Sequence, residues 1–505
     1  MAIDSKRIAK NTIYMYARMI LIMLVGIYTS RVVLDKLGVD DYGLYNAVAS
    51  IVAMISFLNA TLSTSTSRFL TYDLGKGEKQ KLQDTFSTSF FTHVLLAVFV
   101  VVLMETAGLW YMHAKFVIPD GREIATNVIY HISIFTAAIA IIQVPYTASI
   151  MAHEDLSVYA YVGIFDVFAR LGIVYLLKIA PIDSLIVYAF LVALVQLLVT
   201  LVYVIISRNK YEETHLVWHF NKDTFREMLG FTGWTAVANL SNTVVVQGST
   251  VLLNLFFAPA IIASKALANQ ITSAVMQFVN NFRVALNPQI IKSYVAGENE
   301  EFKKLSLRST VFTCDLLIIL GFPCIVTMKA ILKLWLVEVP PLAVEFTQLA
   351  IISQIISSIS SSTYIPFVAS GQLKQNAVWG AVASFGYFVI LYLCFKNGAG
   401  AIWVQWLNLI LALTLTLWMR PVLLKKEIGF SYKDVFRCFF ECFKPMAVAG
   451  FLSYGLSLLF GDTIWEQLLL FIAVFVVCCC TTWLFLDKPI RAFFVNTLKS
   501  KLHKG

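Results

Sequence analysis

Largely apolar stretches of roughly twenty residues recur along the whole chain, from the one around ILIMLVGIY (residues 20–28) to the one around LLLFIAVFVVCCC (residues 468–480). At 1.5 Å per residue each run spans a hydrocarbon core of about 30 Å. Lipid offers the backbone no hydrogen bonds, so only helices and closed barrels cross it, and barrel strands need only about ten alternating residues. These continuous runs therefore predict an all-α polytopic membrane protein. The composition agrees, with 59% hydrophobic and only 14% charged residues in 505.

Helices are expected near 11–34, 43–64, 87–110, 124–151, 157–178, 182–206, 229–257, 261–287, 307–328, 343–369, 375–395, 400–424, 443–461 and 464–486, with borders good to about four residues. That makes about 14 transmembrane helices and places both termini on one side. Lys and Arg of short loops stay cytoplasmic, and on this layout about 27 of the 39 fall on the side of the termini. Both termini are thus expected in the cytoplasm, and the first helix, without a small-residue cleavage site, is read as retained. The +9 charge reads as this topology signal facing anionic phospholipid, with no call for nucleic acid.

The chain also repeats itself. AVASIVAMISFLNATLSTSTSRFLTYDLGKGEKQKL from Ala47 lies over ALANQITSAVMQFVNNFRVALNPQIIKSYVAGENEEFKKL from Ala266, which brings Gly77-Glu78 onto Gly297-Glu298. An offset of six helices keeps the orientation of the two copies and predicts two parallel-repeat six-helix lobes. The expected division is an N-terminal lobe at 1–206, a cytoplasmic inter-lobe linker at 207–228, a C-terminal lobe at 229–424, and two further helices with a basic cytoplasmic tail at 425–505.

Polar residues draw stripes along several of these helices. The seventh carries Thr235, Asn239, Asn242 and Ser249; the eighth Asn269, Ser273, Gln277 and Asn280 or Asn281; the second Ser56, Asn59 and Ser63; the tenth Ser353, Ser357, Ser360 and Ser361. Such stripes serve either as interhelical glue or as walls of a hydrophilic cavity, and Asn59, Asn239, Asn242, Asn269, Gln277 and Asn280 are the candidate lining. Arg18, Arg31, Arg68 and Arg283 lie in or at the ends of these helices, where a permanent charge either takes an anionic guest or anchors at the membrane surface. Asp166 and Arg170, at i and i+4, form a self-neutralised pair or an ion relay, and Asp315 lacks a local partner, so both carboxylates are candidates for ion coupling. Pro145, Pro288 and Pro366 mark hinges or static kinks. All eight cysteines follow residue 313 and read as buried thiols. No metal site, cofactor motif, phosphate-binding loop or catalytic grouping is recognisable, so the chain reads as a transporter rather than an enzyme.

MLGFTGW (228–234), QGSTVLLNLFFAP (247–259), ALANQITSAVMQFVNNF (266–282), ALNPQIIKSYVAGE (285–298) and the opening TSRVVLDKLGVDDYGLYN (29–46) resemble the polysaccharide and O-antigen exporter branch of the multidrug/oligosaccharidyl-lipid/polysaccharide flippase superfamily. The resemblance implies a flippase of the bacterial inner membrane. It would turn an undecaprenyl-diphosphate-linked oligosaccharide, a lipopolysaccharide or capsule repeat unit, from the cytoplasmic to the periplasmic leaflet by alternating access. Cationic residues would face the diphosphate; Arg31 matches by motif, while Arg18, Arg68 and Arg283 match by placement. The lipid-linked oligosaccharide, H⁺ or Na⁺, anionic phospholipid and other glycan-assembly membrane proteins are the partners so implied. An inside-negative potential, worth about 2.3 kcal/mol per charge per 100 mV, would favour export. The competing readings are an H⁺- or Na⁺-coupled multidrug or metabolite antiporter of the same superfamily, a membrane glycan polymerase or glycosyltransferase, and a scaffold.

Overall fold

The computed structural model describes residues 5–153, 155–178, 183–486 and 491; at residues 5–18, 56, 156, 174, 178, 229–232, 234, 235, 281, 284, 285 and 288 it describes the backbone alone. Among the described residues there is no strand. Helix α1 (Ser5–Ala53) kinks at Gly38, whose φ of 78° and ψ of 169° only glycine adopts without strain. α2 (Ser56–Lys76) follows a break at Met54 and Ile55 that bends the pair by 53°. α3 (Lys79–Ala114), α4 (Glu123–Ala152), α5 (Leu156–Lys178) and α6 (Ser184–Lys210) complete the first half.

The second half opens with α7 (222–256) and α8 (Pro259–Val295), then α9 (Asn299–Val326), α10 (Ala343–Ser370), α11 (Leu373–Lys396) and α12 (Trp403–Ile428). α13 (Tyr432–Ser457) and α14 (Ile464–Phe485) close the described chain. Every span expected from the sequence overlaps one of these helices. Among the described residues ten helices are long and apolar enough to cross a membrane, or eleven with the bent α1–α2 pair taken as one span. α8 and α13 are helical but less apolar: α8 carries the Asn-Gln stripe with Lys265 and Arg283, and α13 carries Glu441 and Lys444.

The internal repeat recurs in backbone detail. Gly77 ends α2 at φ 71°, Gly297 follows α8 at φ 76°, and Glu78 and Glu298 precede the next helices with nearly the same angles, φ −84° and −80°. Left-handed glycine supplies the helix stop in both copies. Side chains cap several other starts: Asp183 accepts from the Leu185 and Ile186 amides, Asn221 from those of Asp223 and Thr224, and Thr463 and Glu466 form a capping box. Pro145 sits inside α4 without interrupting it, whereas Pro366 follows a break in α10 at Thr363 and Tyr364. Pro288 lies within α8, its ring outside the described side chains.

The chain forms two compact units. The first comprises Met1–Ala266, Leu336–Pro341 and Gly380–Ala401; the second comprises Leu267–Trp335, Leu342–Trp379 and Ile402–Gly505. In the first unit α1 packs on α5, α4 lies between α3 and α6, and α2 packs on α7. At its end remote from Gly77, Arg122 bridges Asp41 of α1 and Asp183 at the start of α6. There a Cβ on Gly43 would stand 1.9 Å from the Pro259 carbonyl oxygen, so only glycine allows α8 to begin against α1. Asn254 ties the end of α7 to Val117 with a bond in each direction, 3.1 and 3.3 Å.

At the other end the segment joining α6 to α7 is fastened to the first-half helices. The Val217 and Asn221 amides donate to Ser87 and Thr88, and Glu213 accepts from Ser149 at 2.7 Å and pairs with His153 at 2.8 Å. Partial burial opposes ionisation of Asp155, but hydrogen bonds from Lys210, Ser157 and Tyr211 prevail and hold its carboxyl below the usual range. In the second unit α9 packs against α10, α13 and α14, and α10 against α12.

Candidate functional site

In the first half the charges expected at a transport site differ in setting. Arg18 lies on α1 with its side chain outside the described residues. Arg31 and Arg68 are exposed, Arg68 with its guanidinium 5.9 Å from the Phe69 ring centre. Asp166 and Arg170 form an ion pair of 2.9 Å on α5. Beside it a cavity of about 250 Å³ is lined by Gln143, Thr147 and Gln196, and the Gln143 amide oxygen accepts from Gln196 at 2.9 Å and Thr200 at 2.8 Å. A second cavity of similar volume lies between α1, α2 and α4, where the buried Asn59 Oδ1 has no hydrogen-bond partner. Asn239, half-buried, donates to Thr61 at 3.0 Å across α7 and α2, while Asn242 is exposed. Thr235, Ser56 and Asn281 have side chains outside the described residues.

α7 carries a π-helical turn at Val244–Gly248. Such a turn releases a backbone carbonyl from the regular ladder, and here Val246 O is taken by the ammonium of Lys265 at 3.0 Å. The same ammonium donates to Ser249 and, at 2.9 Å, to Thr250. Lys265 is 5% exposed and meets three neutral oxygens rather than a carboxylate. A π-helical turn in α3 works alike: Tyr130 OH donates to Met104 O at 2.6 Å, and a Cβ on Gly108 would collide with that hydroxyl at 2.2 Å.

The second unit builds its charges on the serine run of α10. Arg283 of α8 reaches it with one terminal nitrogen, donating to Ser358 O at 2.9 Å, Ser361 at 2.7 Å and Ser362 at 3.0 Å. The Arg283 Nε is buried and has no partner among the described residues, and neither has Oδ1 of Asn287, one turn further along α8. From α12, Arg420 donates to Ser360 at 2.9 Å and to Asn376, and its guanidinium lies over the rings of Tyr364 and Phe367 at 5.7 and 5.6 Å. Asp315 on α9 is 8% exposed, with Oδ1 unpartnered. Asn269 and Gln277 are half-buried on α8, and Asn280 is exposed.

Arg420 did not stand out in the sequence, because an Arg at the edge of an apolar run reads as a topology charge. The available signal was the serine run itself, whose hydroxyls need partners within the membrane. Chemically, a guanidinium held by neutral oxygens keeps its full positive charge, and an unpaired N–H in a low-dielectric site favours an anionic acceptor.

No family model matches the sequence, and no curated relative matches it. Solved structures do. The lipid II flippase MurJ in an inward closed conformation is 13% identical, with a TM-score of 0.65 over 93% of this chain and 98% of that one. An inward-facing multidrug resistance MATE-family transporter of the MOP superfamily is 12% identical, with a TM-score of 0.64 over 82% and 99%. A MOP-superfamily transporter from Pyrococcus furiosus, described as having a binding pocket of reversed polarity, is 15% identical, with a TM-score of 0.58 over 83% and 96%. At these identities the likeness is one of architecture: the chain has the fold of the MOP-superfamily transporters.

Proposed function

We propose that this protein is a flippase that moves an undecaprenyl-diphosphate-linked oligosaccharide from the cytoplasmic to the periplasmic leaflet of a bacterial inner membrane by alternating access. The observation that carries the reading is Arg283, a guanidinium on the polar-striped helix α8 that has serine oxygens for partners and, among the described residues, no carboxylate and no acceptor for its buried Nε. A diphosphate supplies the acceptors that this group lacks, through charge-assisted bonds. The fold shared with a lipid II flippase supports the same reading. Arg18, Arg31, Arg68 and Arg283 are the proposed diphosphate ligands, and the amides of Asn59, Asn239, Asn242, Asn269, Gln277 and Asn280 the proposed cavity lining. Of the two coupling carboxylates, Asp315 is open to H⁺ or Na⁺, while Asp166 is engaged by Arg170. The 1–206 and 229–424 lobes alternate, with 207–228 as linker, 425–505 as an appended helix pair and tail, and both termini in the cytoplasm.

Deleting the gene should accumulate the lipid-linked glycan in the inner leaflet and deplete the surface polymer. Re-expression with Arg283→Ala, at wild-type protein level, should fail to restore export, and Arg283→Lys should restore it in part, because an ammonium lacks the planar fork. Full export by both variants would remove the diphosphate role. If deletion instead leaves surface glycan intact and raises sensitivity to organic cations, the antiporter reading replaces this one, with Asp315 as its ion site.

A further inference from the structure

The second unit holds a cavity of about 820 Å³ where α9 and α13 begin and α14 ends, three helices packed against one another. Its volume is in the range of small-molecule sites. One rim carries Glu300, Glu301, Lys303, Lys304 and Arg308 from α9, and the other carries Asp434, Arg437 and Glu441 from α13. Two of these ion pairs close within their own helices, Lys303 with Glu300 at 3.7 Å and Arg437 with Glu441 at 3.1 Å. Lys304, Arg308, Glu301 and Asp434 are left without an ion pair among the described residues. The remainder is thus two cations and two carboxylates in one recess.

The floor has a different character. Leu307, Val311 and Phe312 continue down the Lys304–Arg308 face of α9, and Phe485 and Leu486 face them from the end of α14. From Lys304 to Phe312 the helix descends about 12 Å, so the charged rim gives way within two turns to a wall of aliphatic and aromatic side chains. Phe485, the last residue of α14, is 45% exposed and presents an apolar surface beside the recess.

We propose that this recess is a binding site for a zwitterionic phospholipid with a primary ammonium, phosphatidylethanolamine, separate from the transported substrate. Lys304 and Arg308 take the phosphate, Glu301 and Asp434 take the ammonium, and the first acyl carbons lie on Val311, Phe312 and Phe485. The balance of charge selects the ligand. A purely anionic headgroup satisfies the two cations and leaves two carboxylates facing it, a repulsion that a zwitterion avoids. The ammonium N–H donors distinguish ethanolamine from choline, whose methylated nitrogen cannot donate. The site does not depend on the identity of the exported molecule.

The test is lipid retention by the full-length protein from vesicles of phosphatidylethanolamine, phosphatidylglycerol and phosphatidylcholine in equal parts, read by native mass spectrometry. The wild type should retain phosphatidylethanolamine about tenfold over either competitor, the scale of one charge-assisted contact pair. Lys304→Gln with Arg308→Gln should abolish retention of all three. Glu301→Gln with Asp434→Asn should keep a phospholipid but shift preference to phosphatidylglycerol, a gain that misfolding cannot mimic. Lys329→Gln with Lys333→Gln, at the opposite end of the second unit, should change nothing. Wild-type retention without headgroup preference, a preference for phosphatidylglycerol, or equal retention by wild type and both rim variants would overturn the proposal.

Discussion

The two halves of the chain treat buried charge in opposite ways. Before α7 the charged residues less than a tenth exposed are Asp41, Asp73 and Glu213, and each lies against a basic side chain: Arg122, Lys81 and His153. From α7 onward they are Lys265, Asp315 and Arg420, and none has an ion-pair partner among the described residues. Half-buried residues repeat the contrast, with Asp166 paired to Arg170 in the first half and Arg283 held by serines in the second. A buried ion pair is satisfied within the fold, whereas an isolated buried charge costs free energy unless a ligand completes it. The first half therefore spends its buried charges on structure. The second keeps three cations without an ion-pair partner among the described residues, the arrangement that the proposed diphosphate flippase requires.

The largest effect separates these roles. Arg122→Ala leaves Asp41 and Asp183 facing each other with no cation; breaking a buried pair costs about 3–5 kcal/mol, and partial exposure here discounts that to about 2–3 kcal/mol. Thermal unfolding in detergent should show it, and adding Asp41→Asn and Asp183→Asn should recover most of the loss, because Asn also caps α6. Arg283→Met should do the reverse, holding stability to within about 1 kcal/mol, since apolar replacement of a buried charge is often neutral, while export is lost. If Arg283→Met unfolds the protein and Arg122→Ala does not, the contrast between the halves fails.

Much of this was legible beforehand. Lipid-crossing runs declare themselves because burial in hydrocarbon leaves little choice of residue, and Gly77 and Gly297 mark matching turns because only glycine tolerates the backbone there. Asp166 and Arg170 could be paired from their spacing alone. What stayed hidden depends on distant contacts. Arg122 lies 81 and 61 residues from its two carboxylates, and the bend after Ala53 falls on Met54 and Ile55, which carry no glycine or proline signal. Arg420 sits near the edge of an apolar run, where counting charges assigns it to topology, and only its contacts with the serine run show that it is buried; the burial of Lys265 against the π-helical turn of α7 likewise depends on packing.

The paired π-helical turns sharpen the comparison at smaller scale. Gly108→Ala should push Tyr130 OH off Met104 O and leave a buried carbonyl unsatisfied, costing about 1–3 kcal/mol, and Tyr130→Phe should cost about 1 kcal/mol. Neither should alter export beyond its effect on protein level. Lys265→Met removes the corresponding donor from the α7 turn together with a cation, so it should lower export by more than its stability loss explains. Equal stability-corrected export in Tyr130→Phe and Lys265→Met would assign both turns to structure alone.

The smallest effect tests the first half's use of charge in water rather than lipid. The carboxyl of Asp155 is depressed in the folded protein by Lys210, Ser157 and Tyr211, so its contribution is present above the unfolded carboxyl pKa and is lost as pH falls through the lower folded value. Asp155→Asn should therefore lower the unfolding temperature slightly at neutral pH, and wild type and variant should converge as the solution is acidified below about pH 4. Its exposure keeps the effect small, because water and salt screen the pair. A difference that persists unchanged into that acid range would mean that Asp155 acts by shape and neutral hydrogen bonding, and the first half's charge compensation would then stop at the membrane boundary.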